Sequence, residues 1–196
     1  TFSLPDALPI SLLRDRPAST AAMMAVFGDE ATLHAALEFE AALAGAQAAE
    51  GVIPERAAAL IIDTCNHARF DAEQLAAESA HAGTRAIALV RRLRAAVAER
   101  DTAAAALVHL GATSQDVADT ALMLQARAGM QLISTEARAL EQGLAGLAQA
   151  YADTPALART LLQPALPITF GLRAANWLLG VQAARLRLER ECETGL

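Results

Sequence analysis

Between Val108 and Asp116 the chain reads Val-His-Leu-Gly-Ala-Thr-Ser-Gln-Asp, which gathers one imidazole, two hydroxyls and one carboxylate around a glycine. Thr113-x-x-Asp116 has the spacing of a capping box: the threonine hydroxyl accepts from a backbone N–H one turn in, and the aspartate reaches back to the cap. The first backbone N–H groups of a helix lack helical partners. With the helix dipole they form a site for a carboxylate, phosphate or sulfonate. Thr113 and Ser114 add hydroxyl donors, and Gly111 lets the preceding backbone come close to a ligand. His109 precedes the turn; an imidazole, with an ordinary pKa of about 6.5, can orient a carboxylate or move a proton near neutral pH. Taken alone, the same residues also describe an ordinary capped helix.

The elements that must position this turn are helical. From Asp29 to Gly51, Leu33, Leu37, Ala41, Ala44 and Ala48 recur at three and four residues, and Gly51 stops the pattern before Val52-Ile53-Pro54. Pro54 opens a shorter helix through about Cys65. Asp71 caps a third to His81, and Gly83-Thr84 breaks the chain. A fourth runs from about Arg85 to Arg100, with Ile87, Val90, Leu93 and Val97 on one side. No segment in this part alternates, so no sheet is expected. After Gly111 an uninterrupted pattern runs from Val117 to about Tyr151. Met123, Ala126, Met130, Ile133, Ala137, Leu140, Leu144, Leu147 and Tyr151 form a 3.5-residue seam on a rod of about 50 Å, too long for one small domain to cover. Asp153-Thr154-Pro155 turns the chain. Pro164 and Pro167 then flank the start of a last helix, from Ile168 to about Glu193, that is apolar on more than one face.

Composition excludes several classes. The 196 residues carry a formal charge of −6, are 54% hydrophobic and only 4% aromatic, and contain no basic cluster suited to nucleic acid. Arg91, Arg92 and Arg94 read as a solvated helix face. No run reaches the roughly 18 apolar residues of a membrane span, so a membrane is not an expected partner. Cys65 and Cys192 lie far apart and have no metal-ligand spacing to His34, His67, His81 or His109, which fits a reducing cytoplasm better than a disulfide framework. His34, His67 and His81 have no motif around them and read as surface or structural residues. Residues 1–18 begin with a proline-punctuated stretch resembling adaptor sequence and are set aside as a leader or extended arm. Residues 19–107 are expected to form an N-terminal helical domain. Residues 108–196 are expected to form the first, incomplete part of a long-helix bundle.

Two motifs carry a family. His109-x-Gly-x-Thr-Ser-x-Asp116 opens the long helix, and Arg159-Thr160-x-x-Gln163-x-Ala165-x-Pro167-x-Thr169-x-Gly171 precedes the next. Together they resemble the first two signature regions of the fumarase/aspartase superfamily. Within it, the Phe27–Ala44 run and the Val108–Leu124 segment most resemble the branch of bacterial carboxymuconate cycloisomerases. The resemblance covers about Ser19 to Leu196. It implies an all-α fold, with a small N-terminal helical domain and long antiparallel helices of a central bundle. It also implies a cytoplasmic homotetramer whose active sites draw on three subunits, and a small di- or tricarboxylate substrate. The implied reaction adds a carboxylate across a double bond to form a lactone in protocatechuate catabolism, without a cofactor.

The resemblance assigns Thr113 and Ser114 to substrate carboxylate binding and makes His109 the candidate catalytic residue. Arg159, Thr160 and Gln163 either contact substrate from a neighbouring subunit or fix the loop before Pro167. Run towards lactone opening, such a reaction removes a proton α to a carboxylate through a doubly charged aci-carboxylate, so preorganised donors matter most. Two departures are informative. The superfamily's adenylosuccinate-type lyases and fumarase carry a histidine directly after the threonine, where this chain has Leu161. Some members place another after the glutamine, where it has Pro164. An amine or hydroxide needs a proton to leave, whereas a carboxylate, whose conjugate acid has a pKa near 4, leaves unassisted. Gly83-Thr84 also stands where close relatives have Gly-Asn, which leaves 3-sulfomuconate open as a substrate beside 3-carboxymuconate. A β-elimination lyase is the alternative chemistry, and an inactive helical oligomerisation module the alternative of another class. The third superfamily signature, a Gly-Ser-Ser-x-Met-Pro-x-Lys-x-Asn loop supplying the base, does not occur in these residues. The chain is therefore expected to be the amino-terminal part of the enzyme.

Overall fold

A computed structural model of the chain describes residues 19–195; the leader assigned to residues 1–18, and Leu196, lie outside the described residues. Two compact units divide between Ala126 and Arg127, inside the longest helix.

The first unit holds α1 (Ala21–Val26), α2 (Asp29–Ala49), α3 (Glu55–His67), α4 (Ala72–Ala82), α5 (Arg85–Ala98), α6 (Thr102–Ala105) and the opening turns of α7 (Ser114–Ala150). Local chemistry sets most boundaries. Thr20 caps α1 by accepting from the Met23 N–H at 3.1 Å, and Asp71 caps α4 by accepting from the Gln74 N–H at 3.0 Å. Gly83, at φ +77°, ends α4 in the left-handed region, and Thr84 caps α5. α2 packs on α3, α4 on α5, and α3 crosses both α5 and α6. Between them lies a core of Leu37, Ile53, Ile61, Leu75, Leu89, Leu93, Val97 and Val108, closed by Val117 and Ala121 of α7. Of the apolar side expected on α5, Val90, Leu93 and Val97 are buried, but Ile87 is 51% exposed. The buried arc turns instead through Ala86 and Leu89, and Ile87 borders a cleft described below.

The second unit comprises the rest of α7, a β-hairpin and α8 (Phe170–Gly195). The hairpin differs from expectation. Pro155–Thr160 (β1) and Gln163–Thr169 (β2) pair antiparallel, so Pro164 and Pro167 lie on a strand and α8 starts at Phe170, not Ile168. An isolated two-stranded ribbon leaves one edge of each strand unpaired, which is where proline's missing N–H is tolerated. The loop Leu161-Leu162 has φ of +45° and +65° at its two residues, the signs a type I′ turn requires, although leucine is a poor choice for them.

Residues 114–150 are helical throughout, as the pattern required, but much of the apolar seam is left exposed. Along the helices the hydrogen-bonded contact with α8 is made by charged side chains. Arg185 binds Glu141 through Nε (2.6 Å) and Nη2 (3.1 Å), and Glu189 through Nη1 (2.6 Å); Glu189 also receives Arg138 (2.6 Å) and the Ser134 hydroxyl. Leu144 and Ala174 are buried, whereas Ile133, Leu140, Leu147 and Tyr151 of the seam are exposed. The start of α8 lies against the end of α7. The Gly171 N–H donates to Tyr151 O at 2.8 Å, and Phe170 meets the Tyr151 and Trp177 rings edge-on.

Candidate functional site

The capping box forms at the start of α7. The Thr113 N–H and hydroxyl both donate to Asp116 Oδ2 at 2.7 Å, and Thr113 Oγ1 accepts the Asp116 N–H at 3.4 Å. Donation from the Thr113 hydroxyl, then from its backbone N–H, holds the Asp116 carboxyl below the usual carboxylate range. Both Thr113 donors are thus committed within the turn, so Thr113 builds the helix start while Ser114 lies beside the open space. An opening of about 400 Å³ is lined by Ala86, Ile87, Val90, Arg91, Arg94, His109 and Ser114. It brings His109 and Ser114 together within the first unit and adds two guanidinium groups.

Arg91 and Arg94 are exposed, as a solvated face requires, and the three arginines also make specific hydrogen bonds. Arg91 donates to Glu78 Oε2 at 2.7 Å and Arg92 binds the other carboxylate oxygen, so the Arg92 and Arg91 hydrogen bonds pull the Glu78 carboxyl down to about 2. Arg94 donates through Nη2 to Val108 O at 3.0 Å and so ties α5 to the residue before His109.

His109 is held from three sides. Its backbone lies at φ +59°, in the left-handed region, and Gly111 follows at φ +72°. Gln47 of α2 donates to Leu110 O at 2.6 Å, and Arg94 grips Val108 O. The ring Nδ1 is 2.6 Å from Glu40 Oε1. Glu40 is only 1% exposed, and its Oε2 has no hydrogen-bond partner. Burial pushes the Glu40 carboxyl up, against the opposing pull of His109 and Arg94. Sequence reasoning singled out neither Glu40 nor Arg94 as part of a site. The available signal was an acidic residue on the buried stripe of α2, one turn from Ala36 and Leu37 and from Ala44.

Arg159, Thr160 and Gln163 lie in the second unit, on the hairpin. Thr160 pairs with Gln163 across the loop and Arg159 with Pro164, and all three site residues are exposed. The loop between them carries Leu161 and Leu162, 92% and 94% exposed. His34, His67 and His81 are also exposed; His67 Nδ1 sits 2.8 Å from Asp63 O on its own helix. Both cysteines are free, and burial first, with the nearby Glu40 charge, pushes the Cys65 thiol up to about 12. Among the described residues no group of His, Cys, Asp and Glu is placed to hold a metal ion, and no helix is long and apolar enough to cross a membrane.

A mainly helical chain with a capped long rod, a histidine turn at its head and a second motif on the hairpin before the next helix has the features of a fumarase/aspartase-type lyase. Residues 16–194 match the model of a family described as lyase, and the chain belongs to that family. It is 47% identical over 178 residues to the 3-carboxy-cis,cis-muconate cycloisomerase of Bradyrhizobium diazoefficiens, covering 91% of this chain and 40% of that protein. It is 43% identical over 163 residues to the nitrosuccinate lyase of Streptomyces davaonensis, covering 83% and 34%. The crystal structure of the 3-carboxy-cis,cis-muconate lactonizing enzyme from Pseudomonas putida superposes with a TM-score of 0.86 at 41% identity, over 91% of this chain and 41% of that one. The chain thus spans about two fifths of the length of the first of these relatives.

Proposed function

We propose that this chain contributes the histidine turn and the capped helix start of a cytoplasmic 3-carboxy-cis,cis-muconate cycloisomerase in protocatechuate catabolism. The reaction interconverts the muconate and its lactone by carboxylate addition and elimination through an aci-carboxylate, without a cofactor. The observation that carries the reading is the cleft where His109 and Ser114 meet beside Arg91 and Arg94 at the positive end of α7. A doubly charged intermediate is stabilised best by donors already aimed and held away from bulk water. Ser114 supplies a hydroxyl there, and Thr113 keeps the helix start in shape through Asp116. The positions after Thr160 and Gln163 are Leu161 and Pro164, which carry no acid group; a leaving carboxylate needs none. The 47% identity to a protein of that name supports the same substrate class.

In this reading Arg159, Thr160 and Gln163 contact substrate from a neighbouring copy, and residues 108–196 begin a long-helix bundle completed by a homotetramer. The exposed apolar side chains Ile133, Leu140, Leu147, Leu157, Leu172, Trp177, Leu179 and Leu186 of the second unit support an assembled state, since a patch of this kind is covered in working proteins. The test replaces Thr113 and Ser114 together by alanine in the complete protein and follows lactone formation by ultraviolet absorbance. The expected fall in kcat/KM is about a hundredfold, the scale of one lost donor to a developing oxyanion. Unchanged turnover with an unchanged KM would overturn the assignment.

A further inference from the structure

His109 adopts a left-handed backbone conformation, which a non-glycine residue holds only where its surroundings impose it. Three side chains from two other helices impose it: Gln47 and Glu40 from α2, and Arg94 from α5. Two of them hold the carbonyls on either side of the residue, and Glu40 is hydrogen-bonded to the ring. Glu40 is also expensive. A buried carboxylate loses its hydration, and one oxygen here recovers nothing, because Oε2 has no partner. Ala36, Leu37 and Ala44, buried on the same helix, show what serves packing there. The carboxylate is retained at a stability cost, and the ring atom it meets is the natural reason.

We propose that Glu40 is a positioning residue that holds His109 in the Nδ1–H tautomer, so that Nε2 is the atom exchanging protons with the substrate in the cleft. The proposal rests on the functional reading above. In the resting state the Nδ1–H donates to Glu40 Oε1, which leaves the Nε2 lone pair free. A proton taken from substrate at Nε2 gives an imidazolium whose charge Glu40 balances. In lactone opening the imidazolium then releases that proton to solvent, because the departing carboxylate takes none; in lactonisation Nε2 takes a proton from solvent and delivers it to the α-carbon of the aci-carboxylate, and Glu40 neither gains nor loses one in either direction. Arg94 and Cys65 interact with the Glu40 charge, and Asp116 with that of His109. Arg94 is engaged with Val108 O, and the Cys65 thiol stays neutral through the working range.

The experiment measures the ring 15N signals of histidine-labelled complete protein at pH 8, with His109→Gln assigning the resonance, and steady-state lactonisation by wild type and Glu40→Gln. The wild type is expected to show a protonated Nδ1 and a bare Nε2. Glu40→Gln, whose amide can donate to Nδ1 as well as accept from it, is expected to shift the ring towards Nε2–H. It should lower kcat about 10- to 100-fold, the lower range for a positioned acid–base group, with KM within about twofold. A wild-type ring bearing its proton on Nε2 overturns the proposal even if the variant fails to fold. So does a fall in kcat without a change in the ring signals, or a variant that keeps both. If wild type makes no lactone, the functional reading fails, while the ring signals still decide how Glu40 sets the tautomer.

Discussion

The two units use apolar residues in opposite ways. In the first, Ile61, Leu89, Leu93, Val97, Val108 and Val117 are almost fully buried against one another, and the cleft is cut into their margin. In the second, the buried apolar residues are Leu144 and Ala174, while Leu161, Leu162 and Leu166 on the hairpin and Leu140, Trp177 and Leu179 on the helices stand open. Arginine and carboxylate pairs, with one aromatic contact at the hairpin end, join α7 to α8 there. The first unit therefore packs a core of its own around the turn that carries His109, and the second leaves most of its large apolar side chains exposed. A chain that buries a charge where it could pack, and exposes leucine where it could hide it, is organised for something beyond its own stability.

The sharpest way to break this comparison is to remove one large side chain from each unit. Leu93→Ala is expected to cost about 2–5 kcal/mol in urea unfolding, because Leu93 is wholly enclosed. Leu140→Ala with Leu179→Ala should leave the unfolding of the first unit within about 0.5 kcal/mol and move the complete protein towards smaller species in sedimentation. If the double variant unfolds the first unit too, the two units are not energetically separate.

Gly171→Ala comes next. A Cβ there would lie 2.6 Å from Ala148 O and from the Ala152 Cα, both backbone atoms that cannot swing aside. The expected loss is about 1–3 kcal/mol, confined to the second unit and visible as selective hydrogen exchange along α7 after Leu144 and along α8. A smaller effect of opposite sign is expected at the hairpin. Leu161→Asn with Leu162→Gly relieves two left-handed leucines, and the urea midpoint should rise by about 1 kcal/mol in stability at unchanged slope. An unstabilised variant would mean that the leucines are gripped by another copy.

The smallest effect concerns pH. The Asp116 carboxyl is held below its ordinary 3.8 by Thr113, so its contribution is complete above that value and is lost as pH falls through the lowered one. Asp116→Asn should flatten the acid side of the stability curve below about pH 3.8, read by circular dichroism. A variant with the same acid slope as the wild type would remove Asp116 from the account of the helix start.

Much of this architecture was legible in the order of residues. Asp71, Gly83, Thr84 and the Thr113–Asp116 box act on backbone groups within a turn of themselves, so their meaning does not depend on the rest of the chain. The His109 and Ser114 meeting follows from the same turn. The hairpin was not legible: Leu161-Leu162 lacks the asparagine and glycine that mark its turn type, and the two prolines read as a helix entry. Nor was the direction of the α7 seam, since periodicity tells which residues share a face and not what the face meets.

What residue order determined by itself was therefore the helices, their ends and the histidine turn, because each is a matter of neighbours a few positions apart. What only the tertiary structure decided was the company that turn keeps. Glu40 lies 69 residues before His109, and in sequence it is one more acid on an alanine-rich helix. Packing α2 and α5 around Val108 excludes water from its carboxylate, and only then does a glutamate become the partner of an imidazole.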